Sequence, residues 1–499
     1  MTTIDGYPVE GAATTETPWY QMTSHMGTTG VMSGRDDDLE VYADSTGMQV
    51  KVKAGQAFVY GGLAVSDSEL TLAIDAADGS NPRLDIVILK RSLTTDTYSI
   101  EITKGTAAAV PVPPTPTQTV AVWEEVLAEV YVHTSVVTIA AEDIIDRRVL
   151  RTIGGEIPNG YNWFDNGDFM LARRTSSYAA IPNGAYALDR FQYNEVGAAV
   201  HTMSQDTDVP TAAESGHKSY YSLKLDCTTA DAAVAAGDLV NIRTAIGGYD
   251  YAQMKDKAVT LSFWVKATKV GIYCVGFTNG GGDRSYVAEY RVNTTATWEK
   301  KIITVVLDQA GGTEVYSSQS AGLEIRWALM AGTTYHASKQ QTWETGDFFA
   351  TARQVNAADH TDNNFWLSQV KLEIGNSATP FIAKPREEEV ANCWRYCQVY
   401  STVDGALASG WARSATTARL YIPFQQLFVG TPTLTVSAAA HYNIFQQASE
   451  IACTTLSGVA LCSTGCFLAA EVAAGLTTGD GLGLRANNAN AKLTFEAEI

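Results

Sequence analysis

The stretch from Phe365 to Tyr400 constrains the chain most, because its hydrophobic period changes once along it. Phe365–Ile374 alternates as a strand does: Trp366, Val370, Leu372 and Ile374 lie on one side, and Gln369, Lys371 and Glu373 on the other, a face expected to meet solvent. Gly375-Asn376-Ser377 then supplies turn residues, and Pro385, with fixed φ and no N–H, suits the first position of a helix. Glu387, Glu388 and Glu389 stand in its first turn, where the helix dipole favours negative charge, and Val390, Cys393, Trp394 and Cys397 recur at i, i+3, i+4 and i+7. The expectation is a connecting helix over 385–400 whose apolar stripe faces a neighbouring domain or a second copy of the chain.

Both sides of that junction read as strands. Met48–Lys53 alternates strictly; Leu70–Asp75 and Ile86–Leu89 flank the turn dipeptides Asp78-Gly79 and Asn81-Pro82, where Arg83 and Asp85 are placed to form a charge pair. Before Gly47 the chain is rich in Thr, Gly and Asp, and an extended arm is expected. Arg151–Pro158 reads as a linker. Val259–Ala267, Thr297–Val305 and Leu323–Leu329 supply strands before the junction; Arg419–Phe424, Thr433–Val436, Cys466–Ala470 and Lys492–Phe495 supply them after it. With 499 residues, too many for one core, the chain is read as mainly β: tandem antiparallel β-sandwich domains joined by linkers and a short helix, over 1–152, 157–384, 385–400 and 401–499. A tip of about a hundred residues has a modest core, which an oligomer would extend.

Charge narrows the partners. Against 35 basic residues stand 54 acidic ones, a net charge of −19, which argues against nucleic acid and anionic lipid and favours a neutral partner such as a glycan. No apolar run approaches the ~20 residues that cross a bilayer, so membrane insertion is not expected, and the N-terminal residues lack the features of a signal peptide. Seven cysteines without a recurring framework read as reduced, buried thiols, and the four-residue spacings Cys393/Cys397 and Cys462/Cys466 are not that of a zinc knuckle.

The residues offer little for catalysis. There is no G-x-S-x-G, the seven histidines are scattered without H-E-x-x-H, and Gly280–Arg284 lacks the ending of a phosphate loop. No catalytic residue, metal or cofactor is assigned. Aromatic rings remain as possible glycan contacts, since the apolar face of a sugar stacks on a ring. Trp264, Trp298 and Trp327 fall in strand patterns and read as core. Trp411, Arg413 and Tyr442 flank turn-rich segments, Gly410–Arg413 and Ala440–Asn443, and are the candidate receptor contacts, expected to be exposed.

Several segments, in order, resemble bacteriophage tail-fibre and receptor-binding proteins. Ala76–Ile86 resembles their "AADGSNPRID-IVL", followed here by Lys104-Gly105-Thr106, a Pro-rich loop and Ile145-Asp146-Arg147; Asn166-Gly167-Asp168-Phe169 and Leu188-Asp189-Arg190-Phe191 resemble "INGDF" and "ADRW". Lys371–Gly375, Ala378–Phe381 and Cys393–Tyr396 resemble "QLE-G--ATPF" with its following helix, and Phe495–Ile499 resembles a "DAEL" terminus. The resemblance implies a tail-attachment domain at the N-terminus, a carbohydrate-binding-module-like jelly roll and a C-terminal β tip that binds the receptor. It further implies a homotrimer, contact with other tail or baseplate proteins, synthesis in the host cytoplasm and a place on the virion tail. The expected function is adhesion to a host-surface glycan or protein without enzymatic activity. The alternatives are a glycan depolymerase and a purely architectural tail component.

Overall fold

The computed structural model describes residues 29–95, 97–119, 121–152, 160–308, 311–401, 405–447 and 449–499. The expected arm before Thr29 and most of the expected linker, residues 153–159, lie outside the described residues. Nearly all regular structure is antiparallel strand, as the alternation predicts.

In the first 152 residues the strands Arg83–Ser92 and Val122–Val132 pair at the middle of a sheet ordered Ile144–Asp146, Val122–Val132, Arg83–Ser92, Thr97–Thr103. A second four-stranded sheet and a three-stranded one complete a core around Val50, Val52, Val87, Leu89 and Val130. The expected charge pair is present and buried: Arg83 Nε donates to both Asp85 oxygens, at 2.9 and 3.1 Å. Asp85 also accepts the Gly105 N–H at 2.8 Å, which ties the two resemblance segments together. One expectation is corrected. The strand Gly30–Asp36 pairs with Leu150–Thr152 and with Gly55–Val59, and Val31 is fully buried, so the β fold begins well before Gly47. Sheet pairing here overrides a local composition that reads as loop.

The middle of the chain forms two six-stranded antiparallel sheets, packed face to face over Phe263, Tyr273, Ile325, Trp327, Leu367 and Leu372. Strand Asn364–Ile374 is central in one of them, but its faces differ from the expected ones. Its register against Ala258–Ala267 shifts, and Gln369 has φ +50°, so a bulge reverses the parity. Phe365 and Leu367 point into the core together with Val370 and Leu372, whereas Trp366 lies outside under the ammonium of Lys266. Nor do Gln369, Lys371 and Glu373 meet solvent. All three are buried and partnered: Gln369 donates to Ser215 and Ser219, Thr379 donates to both oxygens of Glu373, and Lys371 reaches Glu373, Thr379 and Pro380 O.

The connecting helix is shorter than the stripe predicts. It spans Arg386–Trp394 with Pro385 as N-cap, and Cys397–Tyr400 is a strand paired with Leu493–Glu496. Backbone N–H groups of Arg395 and Tyr396 bond to Asn392 and Cys393 carbonyls, tightening the last turn, and ladder bonds to the final strand replace further helical ones. Beyond it, six strands close into a barrel ordered Ala406–Ala412, Thr417–Pro423, Gly465–Val472, Ser449–Cys462, Tyr442–Gln446, Gly481–Ala486. Leu420, Ile422, Leu468 and Leu484 fill it. Six cysteines are buried free thiols, and Cys462 is exposed.

Candidate functional site

The outer face of one sandwich sheet carries a cleft of about 480 Å³. Strand register builds its floor. Asn194 lies opposite Asn241, Gln192 opposite Arg243, and Arg243 opposite Arg326. Because side chains alternate, Tyr193, Ile242 and Ile325 go to the core while these amides and guanidinium groups stand on the outside.

A hydrogen-bonded ladder fixes them. Arg243 donates to Glu324 Oε1 at 2.5 Å and to Gln192 Oε1 at 3.1 Å; Arg326 donates to Glu324 Oε2 at 2.8 Å and to Asp347 Oδ1 at 2.7 Å. Asn194 donates to Asn241 at 3.1 Å. Burial pushes the Glu324 carboxyl up, but the two guanidinium groups outweigh it and hold the group at about 2. Two cations and two carboxylates cancel, so the floor is polar and carries no net charge.

One long wall is aromatic. Tyr335, half-buried, packs on Phe349 with ring centroids 4.9 Å apart, and the Arg326 guanidinium lies 5.6 Å from the Phe349 centroid. Phe349 is fully buried there because Gly276 beneath it has no side chain; a Cβ at that position would lie 2.4 Å from the Phe349 Cβ. Guanidinium and amide donors, amide acceptors and a tyrosine face are the groups that a neutral, hydroxyl-rich ligand engages.

None of these residues stood out in the sequence, since Gln192, Asn194, Asn241, Arg243, Glu324 and Arg326 occupy ordinary polar positions of alternating strands, and Tyr335, Asp347 and Phe349 come from the turn and loop between the last strands. Only the sheet order, which makes neighbours of Gln192, Arg243 and Arg326, assembles them.

The residues expected at the tip are placed differently. Trp411 is 47% exposed, and Arg413 is exposed just beyond the end of its strand. Tyr442 is corrected: it is fully buried in the barrel core, its hydroxyl 3.5 Å from that of Ser437, and presents nothing to a receptor. The turn-rich neighbourhood of Tyr442 hides its alternation with Ile444 and Gln446, all three of which point inward. Trp411 instead meets Phe467, 38% exposed, with centroids 6.4 Å apart, and Phe467 meets Tyr421, 37% exposed, at 5.0 Å. Period two was the available signal for both, since Tyr421 falls between the inward Leu420 and Ile422, and Phe467 between Cys466 and Leu468.

Of the expected stripe, Cys393 and Cys397 are buried, while Val390 and Trp394 are half-buried. Burial pushes the Cys397 thiol up to about 12. The helix is held against the sandwich by Lys384 and Asn392, which donate to Asp165 at 2.8 and 3.0 Å, and by Glu389, which accepts the Asn166 N–H at 2.7 Å.

No protein-family model matches the chain, and no curated protein matches it in sequence. Among solved structures, the enzymatically active domain of tailspike protein 4 from bacteriophage CBA120 overlaps 43% of this chain and 21% of its own, at 11% identity and a TM-score of 0.24. The chain thus spans about a fifth of that tailspike's length. A family 4 carbohydrate-binding module overlaps 42% of this chain and 99% of its own, at 14% identity and a TM-score of 0.23. The CBM22-1 xylan-binding domain of Xyn10C from Paenibacillus barcinonensis overlaps 40% and 94%, at 12% identity and a TM-score of 0.19.

Proposed function

We propose that this chain is an adhesin of the phage tail-fibre type that holds a neutral host-surface glycan in the sandwich cleft. The observation that carries this reading is the uncharged balance of the floor, with Arg243, Arg326, Asn194 and Asn241 beside the ring of Tyr335. The ordered sequence resemblances support the tail-fibre part. On this reading the N-terminal β unit attaches to other tail or baseplate proteins, three copies assemble, and avidity across them raises a weak single-site affinity. The protein is made in the host cytoplasm and carried on the virion tail.

Binding without cleavage is favoured by Glu324. Both its oxygens are engaged by guanidinium groups and it stays ionised, which unfits it as a proton donor. The test is a neutral-glycan array probed with the full chain, followed by calorimetry of each hit against Tyr335→Ala and Asn241→Ala. Retained binding in both variants would place the ligand elsewhere. Reducing-end release from a bound polysaccharide would make the protein a depolymerase.

A further inference from the structure

The cleft has two unlike ends. At one, Val196 is 45% exposed beside Leu239, and the groove opens to solvent. At the other stands the segment Glu496–Ile499, brought in from more than 250 residues away: Arg243 Nη1, which reaches Gln192 on the cleft floor, also donates to the Ile499 carbonyl at 3.2 Å. The Ile499 side chain lies near the end of the same strand, since a Cβ on Gly247 would be 3.7 Å from its Cδ1.

This segment is anchored. Glu498 accepts from Arg190 at 2.5 Å and from Arg174 at 2.7 Å, the Arg190 guanidinium sits 3.5 Å from the Tyr396 ring centroid, and Lys492 donates to the Arg174 carbonyl at 2.8 Å. A group that borders the floor and is tied down by buried ion pairs acts as a wall. From Leu239 to Arg243 the floor is ~13 Å long at ~3.3 Å per residue, room for roughly two sugar rings.

We infer that Glu496–Ile499 is the end wall of the cleft, and that the cleft therefore takes the terminus of a neutral oligosaccharide, with Arg243 at the closed end, in place of the interior of a long chain. The inference rests on the glycan reading above. It differs from that reading in what it excludes: a cleft open at both ends would accept mid-chain residues equally well.

The test uses linear neutral oligosaccharides, di- to hexasaccharides of β-1,4-linked glucose and galactose, each compared with the same oligomer capped at one end or at both, and with a cyclic glucan. The expected result is an affinity that stops rising beyond the trisaccharide and falls at least about tenfold, ~1.4 kcal/mol, when one particular end is capped, with no binding of doubly capped or cyclic ligands. Equal binding of linear and doubly capped oligomers would overturn the end wall and leave the cleft reading intact. Binding of none of them, together with an empty neutral-glycan array, would overturn both. A chain lacking Glu498 and Ile499 should gain binding of the doubly capped ligands. Should that variant not fold, the capping series on the unaltered chain decides alone.

Discussion

Arg190 and Glu498, 308 positions apart, form an ion pair 2.5 Å across with only 4% and 10% of their side chains exposed. Burial alone would raise the Glu498 carboxyl, yet Arg190 and Arg174 together hold it below the usual carboxylate range. A depressed folded-state value means that the unfolded chain takes up protons first. The pair's contribution is therefore complete above the ordinary carboxylate value near 4 and is lost as pH falls through the lower folded value.

Glu498→Gln leaves the buried Arg190 without its ion-pair partner, while Arg174 keeps Asp189 and Glu496, and should cost ~3 kcal/mol at pH 7. The difference from the unaltered chain should shrink toward zero below about pH 4. Urea titrations at pH 7 and pH 3, read by tryptophan fluorescence, check both the size and the direction.

A second buried pair governs the N-terminal unit. Asp85 accepts from Arg83 and from the Gly105 N–H, so Asp85→Ala strands a cation and a backbone donor and should cost about 3–5 kcal/mol. Gly105→Ala attacks the same joint sterically, because a Cβ there would lie 1.9 Å from the Leu84 carbonyl oxygen. Both variants should lower the unfolding temperature of this unit and leave glycan binding at the cleft unchanged in calorimetry.

Much of this was legible in alternation. Gln49–Val52 buries Val50 and Val52 as its pattern requires, and Asp78 accepts two backbone N–H groups at the turn where Asp-Gly and Asn-Pro predict one. What was not legible has identifiable causes. A bulge at Gln369 reverses parity without leaving a Gly or Pro to mark it. The i, i+7 position of Cys397 belongs to a strand because a partner strand almost a hundred residues later competes for its backbone. The cleft itself depends on which strands become neighbours, and period two says only which side a residue faces.

Glu389 has the opposite sign to Glu498. Burial raises it to about 7, against the lowering effect of the Asn166 N–H and Lys384. A raised folded-state value gives stability that is complete below the unfolded carboxylate value near 4.3 and declines as pH rises to about 7. Glu389→Gln keeps an acceptor for the Asn166 N–H and removes the charge, so it should stabilise the junction by ~1–3 kcal/mol at pH 8 and change little at pH 4. Thermal unfolding across that range tests it; equal shifts at both pH values would show that the carboxylate is not the cause.

The tip offers a paired prediction, because Trp411 and Tyr442 both flank turn-rich segments in sequence but lie on opposite sides of the barrel wall, Trp411 outside and Tyr442 inside. Tyr442 fills the barrel core, and Tyr442→Ala should cost ~3–5 kcal/mol through the cavity it opens, whereas Tyr442→Phe keeps the ring, loses the hydroxyl contacts with Ser437 and the Lys492 N–H, and should cost about 1 kcal/mol. Trp411 stands outside against Phe467, so Trp411→Ala should change stability by less than about 1 kcal/mol. Adsorption to host cells then separates its two roles. If the row Trp411, Phe467 and Tyr421 contacts the receptor, Trp411→Ala and Phe467→Ala reduce adsorption together at unchanged unfolding temperature. Unchanged adsorption in both leaves the sandwich cleft as the adhesive surface.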